Sequence, residues 1–377
     1  MTDSTSLYEK FKNAKYYIAL DGIRCICILG VIWHHSRPVD MPRILQRGFL
    51  GVDLFFVISG FLITSLVIKE KESTGQFSLP QFYLRRILRI FPLYFGFIAA
   101  IAAVYFIGKP HDPETAKLAE LMPLYLLFLS NWSIAQMSLM TVYWSLAAEE
   151  QFYLVWPAVE KLASPRLAMA LLASALLINQ VVNFGLLDHW IATVWDPRAP
   201  YLKIIDATFT PILLGVLLAH CLHHRQAFAA IAKVLGGHLA TPITAVVLFT
   251  IVLFAPNELS GWPRLLIQLT MTALIAALVI RQDTPYARAL TAPPLKRIGQ
   301  ISYGMYVYHK GAIFLVTALV PVGLLELLGS TFVLSALLTY VLSELSFRYY
   351  EKPFLTFKHN HQMRRRTGSA AIADSPT

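Results

Sequence analysis

The chain has 377 residues, of which 56% are hydrophobic and 14% are charged. Soluble domains average about 25% charged residues, so this composition excludes an ordinary soluble protein and indicates a polytopic membrane protein. Lysine and arginine outnumber aspartate and glutamate by 32 to 22, but no basic stretch is interleaved with stacking aromatics, so we expect no nucleic-acid partner.

Apolar stretches of the length that a membrane helix needs, about 18–20 residues, recur along the whole chain. The ten stretches lie near residues 17–36, 50–68, 90–108, 143–160, 167–187, 204–222, 240–256, 263–280, 299–320 and 331–350. The apolar stretch 118–130 is shorter and is more typical of a re-entrant or interfacial segment. We therefore predict an all-α fold, a polytopic membrane helix bundle with about ten transmembrane helices.

The distribution of basic residues predicts the orientation of this bundle. When the spans alternate from a cytoplasmic N-terminus, most lysines and arginines fall on the cytoplasmic side, which favours N-in and C-in. We divide the chain into a cytoplasmic N-terminal segment (1–16), one membrane domain (17–354) and a cytoplasmic tail (355–377). The tail is polar and poor in aromatic residues, so we predict that it is disordered.

The first apolar stretch carries an arginine near its inner end and a histidine near its outer end. Arg24 and His35 are eleven residues apart, which places them on one helical face and about 16 Å apart along its axis. Ionisable side chains inside a membrane are costly and usually functional. Two simpler alternatives remain open: Arg24 extends its long side chain to the interface, and His35 is an interfacial residue.

An acidic residue opens the second stretch from the outer side. Asp53 follows His35 by one short connection, so the two side chains can lie close together. A carboxylate beside a histidine fixes its tautomer and raises its basicity. The alternative role of Asp53 is to cap the N-terminus of its helix.

Three arginines, Arg85, Arg86 and Arg89, crowd the cytoplasmic end of the third stretch. The simplest interpretation is that they anchor the membrane topology. Guanidinium groups also bind phosphates in a bidentate manner, so this cluster favours a site for an anionic ligand.

The fourth stretch places a carboxylate inside the membrane. Ser145, Glu149 and Tyr153 follow an i, i+4, i+8 spacing and therefore share one helical face. A carboxylate at this depth is a functional candidate, and the alternative is a buried salt bridge between helices.

The ninth stretch repeats this pattern with a second histidine. Ser302, Tyr306 and His309 follow an i, i+4, i+7 spacing, with Tyr303 beside them. We predict that these side chains line a cavity together with Ser145 and the other polar residues. His309 is either a second histidine of that cavity or a hydrogen-bonded structural residue.

These positions form a pattern across the bilayer. The arginines gather at the inner end, whereas a histidine and carboxylates gather toward the outer end. The pattern suits a reaction whose anionic donor binds from the cytoplasm and whose acceptor lies outside. A histidine paired with a carboxylate acts as a general base on a hydroxyl, and arginines that bind phosphates suit a coenzyme A thioester.

Five motifs in chain order resemble those of a known family. They are LDGIRCICILGVIWHH, GVDLFFVISGFLIT, FYLRRILRIFPLY, YWSLAAEEQFYLVWP and ISYGMYVYH. From about Tyr17 to Phe354 the chain resembles the acyltransferase 3 family of membrane O-acyltransferases. The resemblance implies a ten-helix bundle of the bacterial inner membrane that moves acyl groups, most often acetyl from acetyl-CoA, onto envelope or secreted carbohydrates.

The resemblance also implies roles for single residues. His35 is the implied catalytic histidine with Arg24 as its accompanying arginine, and Glu149 is the implied acidic residue of the active site. Arg85, Arg86 and Arg89 are the implied binding site for the coenzyme A end of the donor. Some members carry an extracytoplasmic domain that completes the transfer. We see none here, and expect the chain to act alone or to pass the acyl group to a separate partner.

The sequence therefore predicts an O-acyltransferase with acyl-CoA as co-substrate, no permanently bound cofactor and no metal. In this hypothesis His35, oriented by Asp53 or Glu149, deprotonates a sugar hydroxyl, and Arg24 helps to hold the donor. The acceptor stays open among O-antigen, exopolysaccharide, peptidoglycan, periplasmic glucan, a nodulation oligosaccharide and a macrolide sugar, free or lipid-linked. The alternative function is a transporter or flippase for a lipid-linked glycan, which uses the same polar cavity without chemistry.

Overall fold

The computed structural model describes residues 4–36, 42–133, 135–187, 209–321, 323–324 and 331–356. Within these ranges every regular element is helical, which confirms the all-α prediction. Three predicted regions lie wholly or partly outside the described residues: the tail beyond residue 356, residues 1–3, and residues 204–208 of the sixth apolar stretch.

The α-helices of the described ranges are numbered in chain order. They are α1 (Ser4–Asn13), α2 (Ala19–Ser36), α3 (Arg43–Gln46), α4 (Leu50–Thr74), α5 (Leu79–Ala103), α6 (Pro113–Leu126), α7 (Tyr143–Leu162), α8 (Pro165–Asn183), α9 (Phe209–His223), α10 (Arg225–Leu235), α11 (Ala240–Phe254), α12 (Gly261–Ile280), α13 (Pro285–Ala289), α14 (Pro293–Gln300), α15 (Ser302–Leu319) and α16 (Phe332–Ser346). Helix α5 continues into a π-helical segment, Val104–Gly108, and α16 continues into a second one, Phe347–Glu351.

Each of the ten predicted apolar stretches overlaps a helix of the described ranges, although the bounds differ. By length and hydropathy, four described helical segments can cross a membrane: Leu50–Thr74, Leu79–Gly108, Pro165–Asn183 and Gly261–Ile280. The pair α10 and α11, bent by 73°, makes a fifth if it is one broken span. The other helices are shorter or carry more polar residues, so ten spans and the N-in orientation stay predictions.

The short apolar stretch 118–130 belongs mostly to helix α6, which has 14 residues. Asp112 caps this helix, because its carboxylate accepts a hydrogen bond of 2.9 Å from the Glu114 backbone N–H. At about 1.5 Å per residue the helix is roughly 21 Å long, against about 30 Å for the hydrocarbon core of a bilayer. It is therefore too short to cross a membrane.

Glycines bring helices α4 and α9 into close contact. A Cβ atom added at Gly60 would overlap the carbonyl oxygen of Ile212, and one added at Gly215 would overlap that of Val57. Small residues allow membrane helices to approach in this way. The contact fixes the position of α4, which supplies residues to both cavities of the candidate site.

Helix α2 passes between two polar regions of the bundle. It packs against α4, α14, α15 and α16. Its middle is apolar, with Ile28, Val31 and Ile32 fully buried. Arg24 lies toward the N-terminal end of this apolar section and His35 toward its C-terminal end, so one helix supplies a polar side chain to each region.

Candidate active site

A polar cavity of about 90 Å³ lies between α2, α4, α5, α7 and α15, and we call it the arginine cavity. Its charged lining residues are Arg24, Arg86, Arg89, Glu149 and Glu150. Its neutral polar lining residues are Ser59, Ser145, Tyr153, Ser302, Tyr303 and Tyr306. A buried water needs about 10–15 Å³ of such space. The cavity therefore admits a small group such as the acyl end of a thioester, but not a nucleotide.

The three arginines of this cavity form no ion pair with any residue that the structure describes. Among the described residues, none of the guanidinium groups of Arg24, Arg86 and Arg89 forms a hydrogen bond or a salt bridge. The guanidinium carbon of Arg86 lies over aromatic rings, 4.9 Å from the centroid of Tyr153 and 5.5 Å from that of Phe82. Three arginines against two glutamates leave the lining with a surplus of positive charge, so the cavity is suited to an anionic ligand.

Arg85, the remaining member of the predicted arginine cluster, lies elsewhere. Its Nη2 atom is 3.1 Å from the Glu70 carboxylate, and it lines neither of the cavities described here. Neighbouring helix residues point about 100° apart, whereas residues three apart share a face. This is why Arg86 and Arg89 line the cavity together while Arg85 forms a separate ion pair.

Glu149 lies on the wall of the arginine cavity with the other residues of its predicted face. The Ser59 hydroxyl donates a hydrogen bond of 2.8 Å to its carboxylate, and the Tyr153 hydroxyl donates one of 3.2 Å. Ser145 is hydrogen-bonded to the Tyr306 hydroxyl at 2.6 Å. Glu149 has no salt-bridge partner among the residues that the structure describes, so the alternative of a buried salt bridge is not observed.

Two residues that line this cavity are absent from the predicted site. Successive residues of a helix point about 100° apart, yet Glu149 and Glu150 line the same cavity. The cavity wraps around more than one face of α7, so a single-face argument is too narrow. Ser59, which in a membrane helix is first interpreted as a packing residue, donates a hydrogen bond to Glu149 instead.

A second cavity of about 690 Å³ contains the predicted catalytic histidine, and we call it the histidine cavity. Its polar lining residues are His34, His35, Asp53, Asn131, Ser133, Gln136, Thr141, Asn179, Arg264 and Tyr306. Its aromatic lining residues include Phe49, Trp132 and Trp144. Pockets of about 300–1,000 Å³ with a mixed aromatic and polar lining are typical small-molecule sites.

The imidazole of His35 is in contact with a second imidazole. Its Nδ1 atom is 3.0 Å from the Val31 carbonyl oxygen and 3.3 Å from Nε2 of His309. His309 is fully buried, and its own Nδ1 is 2.7 Å from the Tyr306 carbonyl oxygen. The two rings have centroids 5.0 Å apart. His309 is therefore both hydrogen-bonded within its helix and placed against the predicted catalytic residue.

The two carboxylates considered as alternative partners of His35 have other partners. Asp53 lines the histidine cavity, but its carboxylate lies 3.5 Å from Nη2 of Arg264 and accepts a hydrogen bond of 3.1 Å from the Gln268 side chain. Glu149 lines the other cavity. Among the described residues, the imidazole of His309 lies against His35. No sequence spacing signals the pairing of Asp53 with Arg264, because α4 and α12 are far apart in the chain.

The two cavities are adjacent. Val52 and Tyr306 line both of them, and the Tyr306 hydroxyl hydrogen-bonds to Ser145 and, at 3.2 Å, to the Val142 carbonyl oxygen. Ser302 and Tyr303 line the arginine cavity only. In the described ranges no group of three or more His, Cys, Asp or Glu residues is arranged to hold a metal ion.

Comparison with known proteins finds relatives that are named as O-acetyltransferases. A relative from Staphylococcus aureus strain COL, named "Putative O-acetyltransferase", is 29% identical in an alignment of 380 positions including gaps, and the match covers 93% of this chain and 59% of the relative. O-acetyltransferase OatA of Staphylococcus aureus strain NCTC 8325 is 28% identical over 359 residues, which cover 92% of this chain and 58% of OatA. The chain thus spans about three fifths of the length of these relatives. No solved structure matches it significantly.

A family model matches a much larger part of the chain than any single motif does. The acyltransferase 3 model, which describes an acyltransferase domain, matches residues 17–344. This range includes both cavities and all five of the motifs quoted above. The chain is therefore a member of the acyltransferase 3 family.

Proposed function

We propose that this chain is an integral-membrane O-acyltransferase of the cell membrane. In a bacterium with two membranes, this is the inner membrane. It moves an acyl group, with acetyl the expected one, from cytoplasmic acyl-CoA to a hydroxyl of a cell-envelope or secreted carbohydrate. The observation that carries the proposal is the adjacency of a cavity lined by three arginines and a cavity lined by His35. The family and the names of the relatives support the same reaction.

The arginine cavity is the donor site in this proposal. Arg24, Arg86 and Arg89 have no salt bridge among the described residues, and phosphate is an anion that guanidinium groups bind well. The cavity is too small for the nucleotide, so the phosphates lie toward its mouth, where the exposed Arg89 is available. Only the acyl end of the donor enters the bundle.

His35 is the general base. A carbonyl oxygen only accepts hydrogen bonds, so the contact with Val31 O assigns the ring proton of His35 to Nδ1. His309 is assigned in the same way by Tyr306 O, which leaves its Nε2 as an acceptor toward His35. The Val31 carbonyl oxygen and His309 Nε2 are then both acceptors toward His35 Nδ1, and the basic lone pair of His35 lies on Nε2.

The reaction follows from this assignment. Nε2 of His35 takes the proton of the acceptor hydroxyl while the hydroxyl oxygen attacks the thioester carbonyl carbon. The carbon–sulfur bond breaks, and the acyl group becomes an ester on the sugar oxygen. The sulfur leaves as a thiolate and takes the proton from His35, so the products are the acylated sugar and free coenzyme A.

The two substrates meet at the partition between the cavities. Tyr306 and Val52 form the shared wall, and the hydroxyl of Tyr306 is hydrogen-bonded to Ser145. The acceptor occupies the histidine cavity and the acyl group reaches this wall from the arginine cavity. Glu149 stays within the donor side, where Ser59 and Tyr153 hold its carboxylate.

The test uses membranes of the source cell whose own copy is deleted and which carry the full chain or a variant. Labelled acetyl-CoA is added, and label in alkali-labile esters of glycan is counted together with free coenzyme A. We expect His35→Ala to lower transfer by about 10²- to 10⁴-fold, the usual contribution of a general base. His111→Ala is the matched control, because His111 is exposed and lines neither cavity.

Two results contradict the proposal. If the His35→Ala variant is present at a normal level and transfers the acetyl group at the normal rate, His35 is not the general base. Failure of the wild-type chain to release coenzyme A, combined with movement of a lipid-linked glycan across the membrane, favours the transporter instead.

A further inference from the structure

Part of the wall of the histidine cavity comes from the connection between α6 and α7. This connection contributes Asn131, Trp132 and Ser133, and Trp144 follows in the first turn of α7. An indole offers a flat apolar face, and a carboxamide offers both donors and an acceptor. The combination matches a sugar ring, which has an apolar C–H face and hydroxyl groups around its edge.

The backbone leading into this wall is strained. Phe128 has a φ of 54° and is the one non-glycine residue with positive φ in the described part of the chain. This left-handed region is unfavourable for a residue with a Cβ atom, and it persists only where the surroundings hold it. Stacking of the Phe128 ring on Tyr94, with centroids 4.3 Å apart, holds the side chain but not the backbone that follows.

The side chain of Gln151 in α7 holds that backbone. Its amide nitrogen donates to the Phe128 carbonyl oxygen at 2.7 Å and to Oδ1 of Asn131 at 2.8 Å. Its amide oxygen accepts from Nδ2 of Asn131 at 3.2 Å and from the Trp132 indole N–H at 3.4 Å. One carboxamide thus fixes the strained residue and two residues of the cavity wall.

These contacts require a glutamine at this position. The two donors of its amide group serve Phe128 O and Asn131 Oδ1, and its oxygen serves the other two contacts. A glutamate has the same size but no hydrogen-bond donor when ionised, so its carboxylate oxygen would face two acceptor oxygens, Phe128 O and Asn131 Oδ1. Gln151 lines neither cavity itself, and any effect on the reaction must pass through Asn131 and Trp132.

We propose that Gln151 is a positioning residue for the acceptor, which holds Asn131 and Trp132 as the sugar-recognising wall of the histidine cavity. This inference rests on the proposed function, because it assigns the acceptor to that cavity. Helix α7 then serves both substrates: Glu149 belongs to the donor side, and Gln151, two residues later, acts on the acceptor side.

The test measures the KM of each substrate with the full chain purified in lipid nanodiscs. The acceptor is glycan isolated from the source cell and stripped of its esters, and the donor is acetyl-CoA. We expect Gln151→Glu to raise the acceptor KM about tenfold, the change expected for loss of one or two hydrogen bonds. The KM of acetyl-CoA stays within about twofold, since the donor side is untouched. Gln76→Glu is the matched control, because Gln76 is exposed in the turn after α4.

A second variant keeps the inference testable if Gln151→Glu folds poorly. Asn131→Ala should raise the acceptor KM in the same way, and the double variant should show less than the sum of the two effects, because both remove one contact network. The inference is overturned if the acceptor KM is unchanged in both single variants. It is also overturned if these variants raise the KM of the acceptor and the KM of acetyl-CoA equally. If the wild-type chain itself transfers no acetyl group, the proposed function fails instead.

Discussion

Replacing His309 by phenylalanine tests whether the buried His309 only positions the general base His35 or transfers the proton itself. The substitution keeps a flat aromatic ring, one ring atom larger than imidazole, in a fully buried position of α15, so a small loss of stability is expected. It removes the contact of 3.3 Å to His35 and the contact of 2.7 Å to the Tyr306 carbonyl oxygen. The carbonyl oxygen lies inside a helix and keeps its backbone hydrogen bond, so no orphan group is created.

The expected loss is small because only one hydrogen bond to His35 disappears. A neutral hydrogen bond contributes about 0.5–1.5 kcal/mol net, which corresponds to a fall in kcat of roughly two- to twelvefold. The contact from His35 Nδ1 to Val31 O remains and still fixes the tautomer. By contrast, removal of a general base costs about 10²- to 10⁴-fold.

The assay compares kcat for wild type, His309→Phe and His35→Ala in nanodiscs, with isolated glycan and acetyl-CoA at saturating concentrations. His309→Gln is a second variant, because its amide keeps a hydrogen-bonding group toward His35 and should recover part of the loss. Protein level and the melting temperature in detergent are recorded for each variant. If His309→Phe loses as much activity as His35→Ala while melting like the wild type, His309 is itself a proton-transfer residue and the assignment of His35 alone is wrong.

Two further predictions concern the donor site and the packing of the bundle. Arg89→Ala should raise the KM of acetyl-CoA roughly ten- to a hundredfold, since a hydrogen bond to a charged group is worth about 1.5–3 kcal/mol. Arg225→Ala is the control and should leave this KM unchanged, because Arg225 is exposed and lines neither cavity. If the two variants have the same KM for acetyl-CoA, Arg89 is not part of the donor site. Gly215→Val should destabilise the chain by about 1–3 kcal/mol or more, because its side chain would overlap the carbonyl oxygen of Val57. Gly237→Val, in open space, is the control for the melting temperature, and an equal effect of both substitutions would show that the close helix contact is unimportant.

The faces of single helices could be predicted from residue spacing. Ser145, Glu149 and Tyr153 were expected on one face of a helix, and all three line the arginine cavity. The rule also explains why Arg86 and Arg89 share that cavity while Arg85 does not. Spacing is informative at this level because the helix repeat is the same in every protein.

Contacts between helices could not be predicted in this way. Asp53 was considered as a partner of His35 or as a helix cap, and it forms an ion pair with Arg264 on α12, more than two hundred positions later in the chain. Gln151 had no visible role until the structure placed it against Phe128 and Asn131. Such pairs depend on how whole helices pack, and no local pattern in the chain records that packing.

By itself, the sequence determined that the chain is helical, that several of its apolar segments are long enough to cross a membrane, and which polar side chains share a helical face. These properties follow from hydropathy and from a constant helical repeat, both of which are local. Only the tertiary structure decided that the polar residues divide between two adjacent cavities, and that His309 lies against His35. The reason is physical: close approach of helices through small residues sets their rotation and depth, and a shift of one residue would turn each of these side chains toward a different neighbour.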